Sequence, residues 1–455
     1  MIGKTIGGKA IAKFNFGRGF CLKGLALTQA LLALLLLGRA AYCQGDQPKS
    51  IKISFVTFLS GPAAGPFGVP ARNGAELVVK ALNEGTMPAP YNGSKGIGGR
   101  QIEWKFFDEA GGPQQQVAQY RQLVEREHSD VIIGYISSGD CKALAPVAEE
   151  LKTLTIYFDC GTPVIFEDVD LNPHYVFRTG PHIAMDEVAV GRYTLAVAPN
   201  LKTIAAINQN YDYGQEAWKL FSAVMETLKP EVKFPVVQFP KLFAGQYGAD
   251  ISAMLTAQPD VVFSSFWGGD LEAFILQGNA RGLFKNRLLV LSAGEPAMYR
   301  LATQIPDGTI MCARGPHGVF APSNELNRWF RKAYHDTYGI WPVYASYKIA
   351  MAILGVKTAY EKAASAAGRT PTTDEIINAL AFSKWETPSG EVELALANGH
   401  QAIQANAVGR FKYDPQKKEP EIVDIKYYPA RCVNPPPGVK SIDWIKSGFK
   451  GAQCD

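Results

Sequence analysis

The sequence predicts an α/β protein of two similar lobes, and three observations carry that prediction. A chain of 455 residues exceeds the size at which one core keeps growing, so two domains are the default. From Ser50 onward, short apolar runs alternate with amphipathic runs of ten or more residues, the rhythm of βαβ units with parallel pairing. That rhythm restarts after FRTGPH (177–182), which gives two consecutive series instead of one long sheet.

In the first series, IKISFVTFL (51–59) reads as a strand, SGPAAGPFG as a turn and ARNGAELVVKALNEG (71–85) as a helix. RQIEWKFFDE (100–109) alternates as a half-buried strand and GPQQQVAQYRQLVERE (112–127) is helical; strand DVIIGYI, helix KALAPVAEELK and strand LTIYFD follow. The second series runs MDEVAVGRYTLAVA (helix), KTIAAINQ (strand), GQEAWKLFSAVMETLK (helix) and KFPVVQFPKL (strand). It continues through ADISAMLTA (helix), DVVFSSFW (strand), EAFILQGNARG (helix) and RLLVLSAG (strand). Helices resume at NELNRWFRKAYHDTYG and YASYKIAMAILGVKTAYEKAASA, and 409–430 reads as a hairpin turning at Asp414-Pro415.

The N-terminus reads as a secretory leader over residues 1–43. Lys4, Lys9, Lys13, Arg18 and Lys23 precede an apolar run from Leu25 to Leu37, and no acid occurs before Asp46. That run, interrupted by Thr28 and Gln29, is short for a membrane span, which needs about 20 apolar residues. Cleavage after Ala40 and after Cys43 both fit, and bulky Tyr42 argues against lipidation of Cys43. Removing the leader takes the net charge from +4 to −2, so the electrostatic argument for nucleic acid or an anionic membrane disappears. The remainder is expected in an oxidising compartment. A cut after Cys43 leaves five cysteines. Cys141 and Cys160 are expected to bridge two neighbouring loops, and Cys432 and Cys454 to tie down the tail. Cys312, in an apolar run, reads as a buried thiol.

Ligands of open parallel sheets bind beyond the carboxyl ends of strands. VIIGYISSGDCKALAPVAEE (131–150) places Ser138 there, at a helix start whose amides favour a carboxylate. Two readings stand for Ser138: carboxylate ligand, or plain N-cap, a role Ser137 fills equally well. YFDCGTPV offers Thr162 one strand later. A nucleophilic Cys141 or Cys160 lacks a nearby histidine. GIGGR (96–100) reads as a turn and not a phosphate loop. The six histidines show no zinc spacing, so no metal and no cofactor are expected. Trp267 taken alone reads as core, whereas Tyr213, in NYDYG, fits core and cleft equally.

The ordered set FLSGPAAGPFGVPARNGAELVVKALNE, GIGGRQIEWKFFDEAGGPQQQVAQ, VIIGYISSGDCKALAPVAEE, FRTGPH, NYDYGQ and FWGGD resembles the extracytoplasmic solute-binding proteins of the branched-chain amino acid ABC transporter family, over roughly residues 50–430. The resemblance implies a type I periplasmic-binding fold: two Rossmann-like lobes joined by three crossovers, closing over a ligand by hinge motion. Lobe 1 would take 49–180 plus about 318–395, lobe 2 would take 181–317 plus about 396–430, and 431–455 would form a tail.

The resemblance also implies a site. Phe67 would line the cleft, and Ser138, the Cys160 backbone and the Thr162 hydroxyl would hold a carboxylate. Tyr213 and Trp267 would enclose the body of the solute, and Asp270 or His182 would read its far end, with Glu272 competing for Asp270's place. Tyr135 and Tyr211 are further aromatic candidates. The implied function is a periplasmic receptor that delivers an amino acid, aromatic acid or amide to an inner-membrane ABC permease without covalent chemistry. A sensory module of the same fold is the alternative reading. An enzyme is the third, and no nucleophile–base pair or cofactor loop supports it.

Overall fold

The computed structural model describes residues 50–454; the expected leader lies outside the described residues. The first lobe opens with β1 (Ser50–Thr57), α1 (Val69–Glu84), β2 (Gln101–Asp108), α2 (Pro113–Glu125), β3 (Val131–Gly134), α3 (Ser138–Leu151), β4 (Thr155–Tyr157) and β5 (Val176–Arg178). The chain then crosses into α4 (Ile183–Val197), β6 (Ile204–Ile207), α5 (Asp212–Leu228), β7 (Val237–Gln238), α6 (Gly248–Ala257), β8 (Val261–Ser264), α7 (Gly268–Ala280), β9 (Leu288–Leu291) and β10 (Ile310–Cys312). It returns through α8 (Glu325–Tyr338), α9 (Tyr344–Ala367), α10 (Thr373–Leu380), β11 (Lys384–Thr387), β12 (Gly390–Leu396) and β13 (Gln401–Ile403). A third crossing leads to β14 (Asn406–Asp414) and β15 (Glu419–Tyr428), and the tail carries α11 (Ala430–Val433) and α12 (Ser441–Lys446).

Two sheets result, in the orders β11-β12-β13-β5-β4-β3-β1-β2 and β15-β14-β10-β9-β8-β6-β7. Their centres are parallel and the pairs β11/β12, β12/β13, β10/β14 and β14/β15 are antiparallel. This is the two-lobed α/β architecture expected from the alternating runs. Central strands are covered on both faces by helices, which is why β3 and β6 are wholly apolar and buried. β2, at an edge, alternates instead.

Two expectations need correction. The run 233–242 contributes only the two residues of β7, because Pro235 and Pro240 bracket it and lack amide donors. The boundary near 396 is also too early. Leu396 leads into a tight turn with left-handed Asn398 and Gly399, which folds β13 back onto β12 and beside β5 in the first sheet. Residues 401–403 therefore belong to the first lobe, and the chain crosses at 404–405.

The tail is a strap across both lobes. Cys432 and Cys454 form a disulfide, Trp444 is buried, and Phe449 packs under the Arg192 guanidinium at 4.5 Å on the second lobe. On the first lobe, the Ser441 amide donates to Glu167 at 3.0 Å, Lys440 pairs with Asp168 at 2.5 Å, and Arg431 pairs with Glu393 at 2.8 Å.

Candidate functional site

The strand ends of the two lobes face each other, and the lobes meet there. The Gly269 amide donates to the Pro62 carbonyl at 3.0 Å, Lys142 pairs with Asp212, and the Phe67 and Trp267 rings meet edge to face at 5.3 Å.

On the first lobe, Ser137 caps α3, accepting the Asp140 amide at 3.4 Å. That leaves Ser138 free of the capping role. Its Oγ instead accepts the amides of Gly161 and Thr162, each at 3.2 Å. An oxygen that accepts two bonds still has its own proton to donate. The Cys141–Cys160 disulfide, with Cα atoms 6.4 Å apart, joins the same two loops. Beneath them the Glu109 carboxylate receives the amides of Ile136 at 2.7 Å and Ser137 at 2.6 Å. Burial pushes that carboxyl well up, and Asp140 beside it adds to the effect.

Arg314, just after β10 at the second crossing, is the hub of the site. Its Nη1 donates to Asp159 Oδ1 at 2.6 Å and its Nε to Asp186 Oδ2 at 3.2 Å, and Lys348 Nζ reaches Asp159 Oδ1 at 2.8 Å. All four side chains are buried. Burial opposes the charge on Arg314, but Asp159 and its other neighbours outweigh it and hold the guanidinium well up. Burial pushes Asp186 up to about 6 against the pull of Arg314 and Lys348. Burial, with Arg314 adding to it, brings Lys348 down to about 8 against the pull of Asp159. Glu187, one residue on, is pushed well up by burial, opposed by the Ser292 hydroxyl. Two cations thus meet two carboxylates and one carboxyl that favours its proton. Arg314 Nη2, Asp159 Oδ2 and the Tyr213 hydroxyl have no partner. In so buried a place an unpaired donor or acceptor is costly.

Aromatic rings wall this cluster. The Arg314 guanidinium lies 5.2 Å from the Tyr213 ring centre and 5.8 Å from that of Tyr344. Phe67 packs on Tyr344 at 5.3 Å, and the Trp267 indole N–H donates to the Tyr211 hydroxyl at 2.7 Å. Tyr213 and Arg314 lie so close over Gly161 that a Cβ there would stand 2.7 Å from each. Phe67, Ser138, Thr162, Tyr213 and Trp267 are therefore brought around one locus, with the Cys160 backbone beside it. The Cys160 carbonyl faces the other way, accepting Arg178 Nη1 at 2.9 Å. Tyr135 packs behind the same loops, against Tyr157.

Asp270 and His182 do not join this locus as expected. Asp270 spends its carboxylate inside the second lobe, on Gln209 Nε2 at 2.8 Å, the Phe243 amide at 2.7 Å and the Tyr247 hydroxyl. Helix α7 begins there, and the acid secures its approach loops. Glu272 pairs with Arg300, whose guanidinium lies against Gly65 of the first lobe. His182 lines a different cavity, beside Arg178. Burial and Arg178 take His182 down to about 3, and burial takes His400 to about 4. Both rings should therefore show neutral-imidazole nitrogen shifts by NMR at pH 5. Each base is depressed by folding, so its contribution to stability is complete above the unfolded value of about 6.5 and is lost as pH falls toward 4 and then 3. Either ring titrating near 6 in the native protein would contradict this burial.

Sequence reasoning missed Arg314, Asp159, Asp186, Glu187, Lys348 and Tyr344. A signal existed for Lys348, which is the single charge between Tyr344 and Val356 in an otherwise apolar helix. Asp159 and Arg314 each stand immediately past an apolar strand, the position at which a sheet of this kind presents ligands.

Residues 50–418 match a family model described as "Periplasmic binding protein". A leucine-, isoleucine-, valine-, threonine-, and alanine-binding protein of Pseudomonas aeruginosa is 22% identical over 371 residues, covering 80% of this chain and 91% of its own length. Among solved structures, a solute binding protein of an ABC transporter from R. palustris in complex with benzoate aligns with a TM-score of 0.69 at 21% identity, covering 83% of this chain and 96% of that one. A branched-chain amino acid transporter substrate binding protein from Streptococcus pneumoniae, in complex with isoleucine, aligns at 0.66 and 18% identity, covering 84% and 99%. At these identities the structural likeness speaks for the fold.

Proposed function

The chain belongs to the periplasmic binding protein family, and from that premise we propose that it is the solute-capturing receptor of an ABC importer. It holds a small monocarboxylate with an apolar body between its lobes, in the periplasm, and presents it unaltered to an inner-membrane permease. The observation that carries this reading is the pair of unpartnered donors, Arg314 Nη2 and the Tyr213 hydroxyl, buried over Gly161 beside the Ser138 hydroxyl. Three donors from both sides of the cleft suit a carboxylate. The rings of Phe67, Trp267, Tyr211 and Tyr344 suit an apolar body. Asp159 Oδ2 is left to accept a bond from a ring hydroxyl or an ammonium group. Solute that touches both lobes stabilises the closed arrangement relative to the open one, which is all a receptor needs.

Calorimetric titration with leucine, isoleucine, benzoate and 4-hydroxybenzoate tests the reading, with tryptophan fluorescence as a second readout. Saturable heat is expected with at least one acid. The matching fluorescence change should vanish in Trp267→Phe. An acid that binds while its uncharged carboxamide does not confirms the carboxylate; heat from none of the four sinks the proposal.

A further inference from the structure

A second cavity, of about 380 Å³, lies behind the hinge where the first crossing leaves β5 and the tail strap passes over it. Phe166, Arg178, His182, Leu396 and Gln401 line it, and the segment Pro435–Lys440 covers it. Three apolar side chains at this cavity stand open to solvent: Leu171 at 59%, Phe382 at 67% and Val439 at 41%. It is separate from the cleft described above.

Arg178 in this cavity is unusual. The residue is 1% exposed, yet among the described residues no carboxylate lies within ion-pair distance of its guanidinium. Its Nε donates to the Gln401 side-chain oxygen, and its Nη1 donates to the carbonyls of Cys160 at 2.9 Å and Thr162 at 2.6 Å. All these acceptors are neutral, and Nη2 donates to none of them. Glu167, the nearest acid lining the cavity, is taken by the Ser441 amide and hydroxyl. A buried cation without a countercharge is expensive. His182 beside it is 2% exposed with both ring nitrogens unpartnered. An unpaired guanidinium, an unpartnered imidazole N–H and an apolar mouth form one chemical pattern.

We propose that this cavity is a second small-molecule site that takes a carboxylate with an apolar body, its acid group on Arg178 Nη2 and the His182 ring N–H and its body against Phe166, Leu396 and the strap. The proposal does not rest on the cleft's function. The two sites share a physical link, because the carbonyls held by Arg178 belong to the loop whose Gly161 and Thr162 amides hold Ser138. The acid that fills the cleft and a different acid are both candidate occupants, and they separate in the test.

The test is fluorine NMR of the full secreted chain with 4-(trifluoromethyl)benzoate, alone and after saturation of the cleft with whichever acid calorimetry identifies. A bound resonance is expected to persist with the cleft filled. His182→Phe and Val439→Trp should each weaken that resonance at least tenfold, and 4-(trifluoromethyl)benzamide should give none. Val439 lies on the strap and partly in solvent, so its variant keeps the fold and keeps any cleft-bound signal. If the cleft acid itself displaces the resonance at higher concentration, both sites take the same solute; if it does not, the hinge site selects a different one. A resonance unchanged in both variants, equal binding of the amide, or no bound resonance at all overturns the proposal. Loss of cleft binding in Arg314→Met with this resonance intact would separate a failure of one site from a failure of the other.

Discussion

Replacing Arg314 with Met will lower solute affinity by about 100-fold or more and will also destabilise the protein. The side chain has two roles. The guanidinium supplies the unpartnered Nη2 that the acid group is proposed to meet, and truncating one partner of a buried charge-assisted bond costs about 2–5 kcal/mol. The same side chain compensates Asp159 and Asp186, both fully buried, and removing one member of a buried ionic set costs about 3–5 kcal/mol because the partners are stranded. Lys348 still neutralises Asp159, so Asp186 is the carboxylate left exposed to the loss. Arg314→Lys is not a rescue, because one ammonium cannot reach Asp159, Asp186 and a ligand in the fork geometry of a guanidinium. Calorimetry on the folded variant, with a urea titration of the same sample, separates the two effects. Adding Asp186→Asn to Arg314→Met should return stability without returning affinity. Affinity within threefold of the unaltered protein in Arg314→Met would remove the basis of the site.

The pattern of alternation made the sheets legible, because buried parallel strands must be apolar on both faces and their crossover helices must be amphipathic. It made β14 and β15 legible too, since Asp414 and Pro415 mark a turn between alternating runs. It failed at β5, β10 and β13, which have three residues each and no long apolar run around them to announce a strand, and at β11 and β12, the hairpin at the first sheet's edge. It failed again at the third crossing, where a left-handed turn at Asn398 and Gly399 decides the pairing and nothing in the apolar pattern does. In the cleft, the residues on strand-to-helix loops were readable one by one because their place in the chain fixes their place on the sheet edge. Arg314, Asp186 and Lys348 come from a crossing and from two helices that are distant in sequence. Their meeting is a product of the tertiary fold, and no local spacing encodes it. Asp270 shows the converse: its position was right for a ligand contact, and the Gln209 amide, the Phe243 amide and the Tyr247 hydroxyl took it first.

The meeting of the lobes depends on one position with no side chain. Gly161→Val is expected to leave both lobes folded and to prevent them from coming together as they do here. Gly161 belongs to the first lobe's loop after β4, and Tyr213 to the second lobe's α5. A Cβ at 161 would stand 2.7 Å from Arg314 Nη2, 2.7 Å from Tyr213 Cε2 and 2.8 Å from Tyr213 Cδ2, inside the closest distances that carbon tolerates. Neither neighbour can yield cheaply, since Arg314 is pinned by Asp159 and Asp186 and the Tyr213 ring lies against it. The backbone at 161 is not left-handed, so valine meets no conformational penalty while the lobes are apart. Overpacking of this kind costs about 1–3 kcal/mol, and the part that falls on Tyr213 belongs to the arrangement in which the lobes touch, so affinity should fall by up to about 150-fold. The melting temperature without solute should fall far less than in Arg314→Met. Small-angle scattering supplies the decisive readout: saturating solute should shrink the radius of gyration of the unaltered protein and leave that of Gly161→Val unchanged. Equal compaction in both proteins would mean that the cleft closes around some other contact than the one between Gly161, Tyr213 and Arg314.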